Sequence, residues 1–227
     1  GNIYLNNQVD FNTFNGVAAA TTPNYTSPWG SLTATTGGDI TLGGGLASTA
    51  DANRPAGGAY SGNSADMAVR LGTSCDSIIL YSGGGDISIK GNYNNNATSQ
   101  IAVMTVPCTV INSGAGKIYM EGNATGTKGR GLEILYGANN NGFFYSTGGS
   151  SASDPAITFK GSTLDTGETG ILGAYWSNGP NNFLVQALGT GGILVEGSAP
   201  ANGARGGIEM NGAALLAPSG DITVDGG

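Results

Sequence analysis

The chain holds no histidine and only two cysteines in 227 residues, so the commonest general base is missing and the usual zinc ligand sets cannot be assembled. What remains for chemistry is carboxylates, one cysteine pair and a scatter of aromatics. Glu133 and Glu209 sit in matching settings, Gly131-Leu132-Glu133-Ile134 and Gly207-Ile208-Glu209-Met210. Two carboxylates on one face of a β-structure are the equipment of glycoside hydrolysis. If the two segments are equivalent strands with Leu172 between them, the carboxylates lie about 10 Å apart, at the upper limit for an inverting pair. Nothing basic is expected beside them to orient a substrate, and the competing reading is two isolated surface charges. Asp39 and Asp86 each precede an isoleucine; such residues accept a local backbone N–H at a turn, and stacked one above the other they would also offer oxygens to a cation.

Cys75 and Cys108 lie eleven and nine residues ahead of Asp86 and Lys117. That equivalence makes them neighbours on adjacent strands, close enough for a disulfide, the alternative being two buried thiols. A bond would point to an oxidising compartment. Tyr119, Tyr175 and Trp176 are the aromatics best placed to stack on a sugar ring, although aromatic side chains also cover sheet edges simply by burying area. Two glycine-rich segments fail as motifs. Gly83-Gly84-Gly85-Asp86 lacks the spacer of a calcium-binding repeat, and Gly126-Thr127-Lys128-Gly129 lacks the order of a phosphate loop. No cofactor is expected.

The elements that must position these residues follow from Gly85-Asp86-Ile87-Ser88-Ile89-Lys90-Gly91. Ile87 and Ile89 alternate with polar residues, which is the period of a strand with one buried face, and the flanking glycines allow sharp turns. Copies appear at Asn2-Ile3-Tyr4-Leu5, Asp39-Ile40-Thr41-Leu42, Lys117-Ile118-Tyr119-Met120, Ala156-Ile157-Thr158-Phe159, Gly192-Ile193-Leu194-Val195 and Asp221-Ile222-Thr223-Val224. Their spacing, about 37 residues on average, is that of a solenoid. Each interval holds a second apolar segment, such as Gly170-Ile171-Leu172, and a third, such as Gly142-Phe143-Phe144-Tyr145. Three short strands per repeat, each stacking on its equivalent, give an all-β, right-handed parallel β-helix of about six coils in one domain over residues 1–227. Loops are expected between the first and second strands, at 44–63 and 122–129.

Register then places Lys90, Glu121, Lys160 and Glu196 in one row, a ladder of alternating charge about 5 Å per rung that penalises slipped pairing. The net charge of −7 from so few ionisable groups, with the eight basic residues scattered, excludes nucleic acid as a partner. No apolar run is long enough for a membrane helix and the opening residues form no signal peptide.

Gly38-Asp39-Ile40-Thr41-Leu42, Gly85-Asp86-Ile87-Ser88-Ile89-Lys90-Gly91 and Gly220-Asp221-Ile222-Thr223-Val224-Asp225-Gly226, alternating with Gly206-Gly207-Ile208-Glu209-Met210-Asn211-Gly212, resemble the repeat region of filamentous-haemagglutinin-type adhesins. These are bacterial proteins exported by two-partner secretion. The resemblance covers nearly the whole chain, and implies a β-helical shaft outside the cell or at the outer-membrane surface. It also implies possible contact with a cell-surface glycan or protein receptor. The secretion domain of that family, with its Asn-Pro-Asn motif, has no counterpart here. The expectation is a non-enzymatic rod that continues in a longer chain or joins head to tail, against a monomeric glycan-binding or glycan-cleaving β-helix.

Overall fold

A computed structural model describes residues 3–5, 9–12, 37–46, 55–57, 59–61, 67–72, 78–94, 96, 100–136, 142–175 and 183–227. Within them the chain is all β, with no helix, and winds as a parallel β-helix of six coils. Sheet I stacks Ile40–Leu42, Ile87–Tyr93, Ile118–Ala124, Ile157–Thr163, Ile193–Ser198 and Ile222–Asp225. Sheet II stacks Ile3–Leu5, Val69–Leu71, Ile101–Thr105, Arg130–Tyr136, Ile171–Tyr175 and Ile208–Met210. Sheet III stacks Val9–Asn12, Ile78–Tyr81, Thr109–Gly114, Phe143–Ser146, Phe183–Ala187 and Ala213–Leu216. Each coil runs through sheets II, III and I in turn, and every pairing between coils is parallel.

The register is carried by one repeated backbone contact. The N–H of each row isoleucine donates to the carbonyl just before the next one, Ile40 to Asp86 at 2.9 Å, Ile87 to Lys117 at 2.8 Å, Ile118 to Ala156 at 2.9 Å and Ile193 to Asp221 at 2.8 Å. Ile87, Ile118, Ile157 and Ile193 are thereby superposed and fully buried. Aromatic rings fill the wider coils, Phe144 meeting Phe159 edge-on at 5.0 Å and Phe183 at 6.5 Å.

Two expectations are corrected. Ile3–Leu5 is a sheet II strand, pairing with Val69–Leu71 rather than with Ile40. Its alternation suits any face of the coil, and what assigns it is the strand Val9–Asn12 that follows at once and pairs in sheet III with Ile78–Tyr81. Gly122 is not in a loop, because sheet I strands run on to Ala124 and Thr163. Sheet III is apolar outside as well as inside. Ile79, Val110, Phe143 and Leu184 form an outward row in which Val110 and Phe143 are buried, so these strands read as continuous apolar runs. Within the first insertion Gly44–Leu46 runs antiparallel to Pro55–Gly57, and Ala59–Ser61 lies along Gly91–Tyr93.

At the corner between sheets I and II two backbones almost touch. A Cβ on Gly161 would lie 2.2 Å from the Gly170 oxygen, and one on Gly170 2.5 Å from the Gly161 oxygen. The same pairing recurs as Gly122 with Gly131 and Gly197 with Gly207. Alanine at Gly161 should therefore cost about 2 kcal/mol through overpacking against rigid backbone. Thermal denaturation should show a Tm lowered by about 4–8 °C. Gly206→Ala, where a Cβ meets nothing within 4 Å, should leave Tm within error of the wild type or slightly above it.

Candidate functional surface

The outer face of sheet I carries the most ordered polar array. Alternate residues of each strand point outward, and register collects them into columns. Lys90, Glu121, Lys160, Glu196 and Asp225 form one column, and Asn92, Asn123, Ser162 and Ser198 the next. Lys90 Nζ lies 3.1 Å from Glu121 Oε2, and Lys160 pairs with Glu196, so the first four charges are joined two by two, with Asp225 following Glu196. Glu121 also accepts the Tyr119 hydroxyl and, at 2.7 Å, the Asn123 amide. Asn123 in turn donates to Asn92 Oδ1 at 3.3 Å and accepts from the Ser162 hydroxyl at 2.8 Å. Burial pushes the Glu121 carboxyl up, but the hydrogen bonds from Tyr119, Asn123 and Lys90, with the Lys90 charge, outweigh it and hold the group below its ordinary range. Between the columns runs a groove of about 280 Å³, bounded by Glu121, Asn123, Lys160, Ser162, Glu196 and Ser198 among others.

On sheet II the carboxylates Glu133 and Glu209 are separated by Leu172 in register. The expectation that nothing basic stands near them is corrected. Arg130 Nη1 donates to Glu133 at 2.7 Å and Arg130 also clamps Glu168 of the next coil through Nε at 3.1 Å, while Arg205 Nη1 reaches Glu209 at 3.1 Å. The arginines lie three and four residues ahead of their partners. Burial raises the Glu133 carboxyl above its usual value despite the pull of Arg130. Glu133 thus shares the Arg130 guanidinium with Glu168, Glu209 pairs with Arg205, and Glu133 and Glu209 stand two coils apart. With Leu172 between them, Glu133 and Glu209 are not a closely facing pair of the kind glycoside hydrolysis uses.

The aspartates ahead of the isoleucines act between coils rather than within a turn. Asp39 Oδ1 accepts the Asp86 N–H at 2.7 Å, and Asp86 Oδ1 accepts the Lys117 N–H at 2.8 Å. This use of their oxygens accounts for both residues without a cation, and no group of three or more acidic or cysteine side chains suited to a metal occurs among the described residues. Sequence reasoning overlooked Asp165. It is buried, and its carboxylate joins two loops by accepting the Gly129 N–H at 3.0 Å and the Gly167 N–H at 2.9 Å. Ser82, Ser113 and Ser146 were also overlooked. They line the corner between sheets III and I, where Ser113 donates to the Gly116 carbonyl at 2.8 Å and Ser146 to the same carbonyl at 2.6 Å. The spacing of serine three residues before glycine, in Ser82-Gly83-Gly84-Gly85 and Ser113-Gly114-Ala115-Gly116, was the available signal.

Tyr119 points outward but is 8% exposed, with its hydroxyl given to Glu121, so its ring offers no open face to a sugar. Tyr175 ends a sheet II strand, its side chain outside what the structure describes, and Trp176 lies outside the described residues. Cys108 is disulfide-bonded and Cys75 lies outside the described residues. Cys108 takes φ 71° at the third position of a turn closed by Thr109 N–H to Val106 O at 3.3 Å. With Pro107 before it, this is the type II geometry that glycine usually serves.

Comparison with protein-family models, with curated proteins and with solved structures finds no match.

Because the Glu121 carboxyl is held low, the folded state keeps it ionised where the unfolded chain begins to protonate. Its stabilisation is complete above the unfolded value and is lost as pH falls through the folded one. Glu121→Gln should therefore flatten the loss of Tm on acidification below about pH 4.5. Melting curves from pH 7 to pH 3 that stay parallel for the two proteins would contradict this.

Proposed function

We propose that the chain is a length of non-enzymatic structural shaft, of the extracellular, adhesive kind that its repeats resemble. The observation that carries the reading is the equivalence of successive coils. Backbone ladder, aliphatic stack, Lys–Glu pairs and Asn–Ser column all recur at matching positions. An array of this kind gains stability from each added coil and extends along one axis. The two carboxylates weighed for catalysis each bond a neighbouring arginine, Glu133 sharing Arg130 with Glu168 and Glu209 holding Arg205. Carbohydrate binding is the competing reading, and the polar groove of sheet I is the feature in its favour.

Electron microscopy of native material, averaged along any fibre axis, should show shafts with a meridional spacing of about 4.8 Å. Discrete particles that bind a glycan saturably, with binding lost in Lys160→Ala, would replace the structural reading by the carbohydrate one.

A further inference from the structure

The polar columns of sheet I are complementary to their own reverse. Down the stack the first reads Lys90, Glu121, Lys160, Glu196, and the second Asn92, Asn123, Ser162, Ser198. Read backwards, the first becomes acid, base, acid, base, so every charge meets its opposite. The second becomes Ser198, Ser162, Asn123, Asn92, which sets every amide against a hydroxyl. Asp225, on the rung after Glu196, then meets the coil of Gly43, where that column carries no charge.

Two rotations can bring two such faces together. A two-fold axis along the shaft lays each rung against itself, so that Lys90 meets Lys90 and Glu121 meets Glu121. A two-fold axis along the strands, passing between Glu121 and Lys160, keeps each column opposite the same column and reverses the rungs. Lys90 then faces the copy's Glu196, Glu121 its Lys160, Asn92 its Ser198 and Asn123 its Ser162. Both faces have the same rung spacing of about 4.8 Å, so the contacts form together. The groups can take these contacts. The lysine side chains of the column are 21% and 38% exposed and the glutamates 16% and 40%. A carboxylate has about four acceptor sites, and the bonds from Lys90, Tyr119 and Asn123 leave Glu121 room for one more. The groove of about 280 Å³ beside it admits the stem of the copy's lysine.

We infer that two copies of this chain pair side by side and antiparallel through the outer face of sheet I, each charge of one column against its opposite in the other. This goes beyond the shaft reading, since it concerns the flank of the stack and neither end takes part. Exposed ion pairs contribute little apiece, and complementary charge fixes orientation more than strength. The dimer is therefore weak and sensitive to salt.

Sedimentation of the whole chain at high concentration should show dimer at about 0.01 M salt and monomer at about 1 M, as the screening length falls from about 30 Å to about 3 Å. Lys160→Glu, which sets acid against Glu121 at two symmetric contacts, should weaken the dimer at least tenfold. Adding Glu121→Lys to it should bring the dimer back. That double variant loses both ion pairs within the column, so a column serving register alone would gain nothing from the second change. A bismaleimide of about 10 Å span, the distance between packed sheets, should join Asn92→Cys/Ser198→Cys into dimers at low salt and neither single variant. Monomer at low salt overturns the inference, as does a dimer that Lys160→Glu leaves intact. Dimers from Asn92→Cys alone mean parallel pairing and overturn it too. All three results leave the shaft reading standing.

Discussion

The parallel backbone ladder between coils governs everything else in this molecule. Once Ile87 N–H is bonded to Lys117 O and Ile118 N–H to Ala156 O, residues at equivalent positions are held about 4.8 Å apart, whatever they are. Each side chain must then be compatible with its counterparts above and below. Aliphatic residues inside satisfy this by stacking. Outside, opposite charges, amides and hydroxyls satisfy it by bonding along the column, as Lys90 does with Glu121 and Ser162 with Asn123. Each exposed ion pair is worth little, about 0–1 kcal/mol. Their effect is on register, since a shift of one residue would turn the whole aliphatic row outward.

The same constraint explains why so much glycine is needed. A three-sided coil with sheets this short must turn sharply, and the corners bring one coil's backbone within contact of its own return, as at Gly161 and Gly170. A side chain there would push two sheets apart and lengthen the ladder bonds on both. Polar backbone exposed by the turns is taken up by short side chains. The serine corner, the Asp39–Asp86 steps and the buried Asp165 carboxylate all serve this purpose. A buried polar group with such partners adds order to the loops at little net cost.

Much of the architecture was legible because period-2 alternation, glycine punctuation and repeat spacing are all local signals. The three strands per coil, the number of coils and the Lys–Glu column follow from them. What escaped was long-range. Ile3-Tyr4-Leu5 carries alternation without any mark of which sheet it joins, and only pairing with Val69–Leu71 decides. The aspartates were read as local turn residues because sequence shows the residue after Asp86 and not the coil above it. Arg130 was overlooked beside Glu133 because strand alternation sets residues i and i+3 on opposite faces, yet the long arginine side chain reaches its partner. The third segments were legible as apolar patches, and their adjacent apolar residues, such as Ile79, Val110 and Phe143, mark a sheet apolar on both faces.

The two-by-two joining of the charge column bears on how such a chain can change length. The ladder accepts any number of whole coils. The column does not. Loss of the coil bearing Glu121 would set Lys90 directly against Lys160, two cations on adjacent rungs, whereas loss of the coils bearing Glu121 and Lys160 together would set Lys90 against Glu196 and restore an opposite pair. The Lys–Glu pairs of sheet I thus count in twos what the backbone counts in ones.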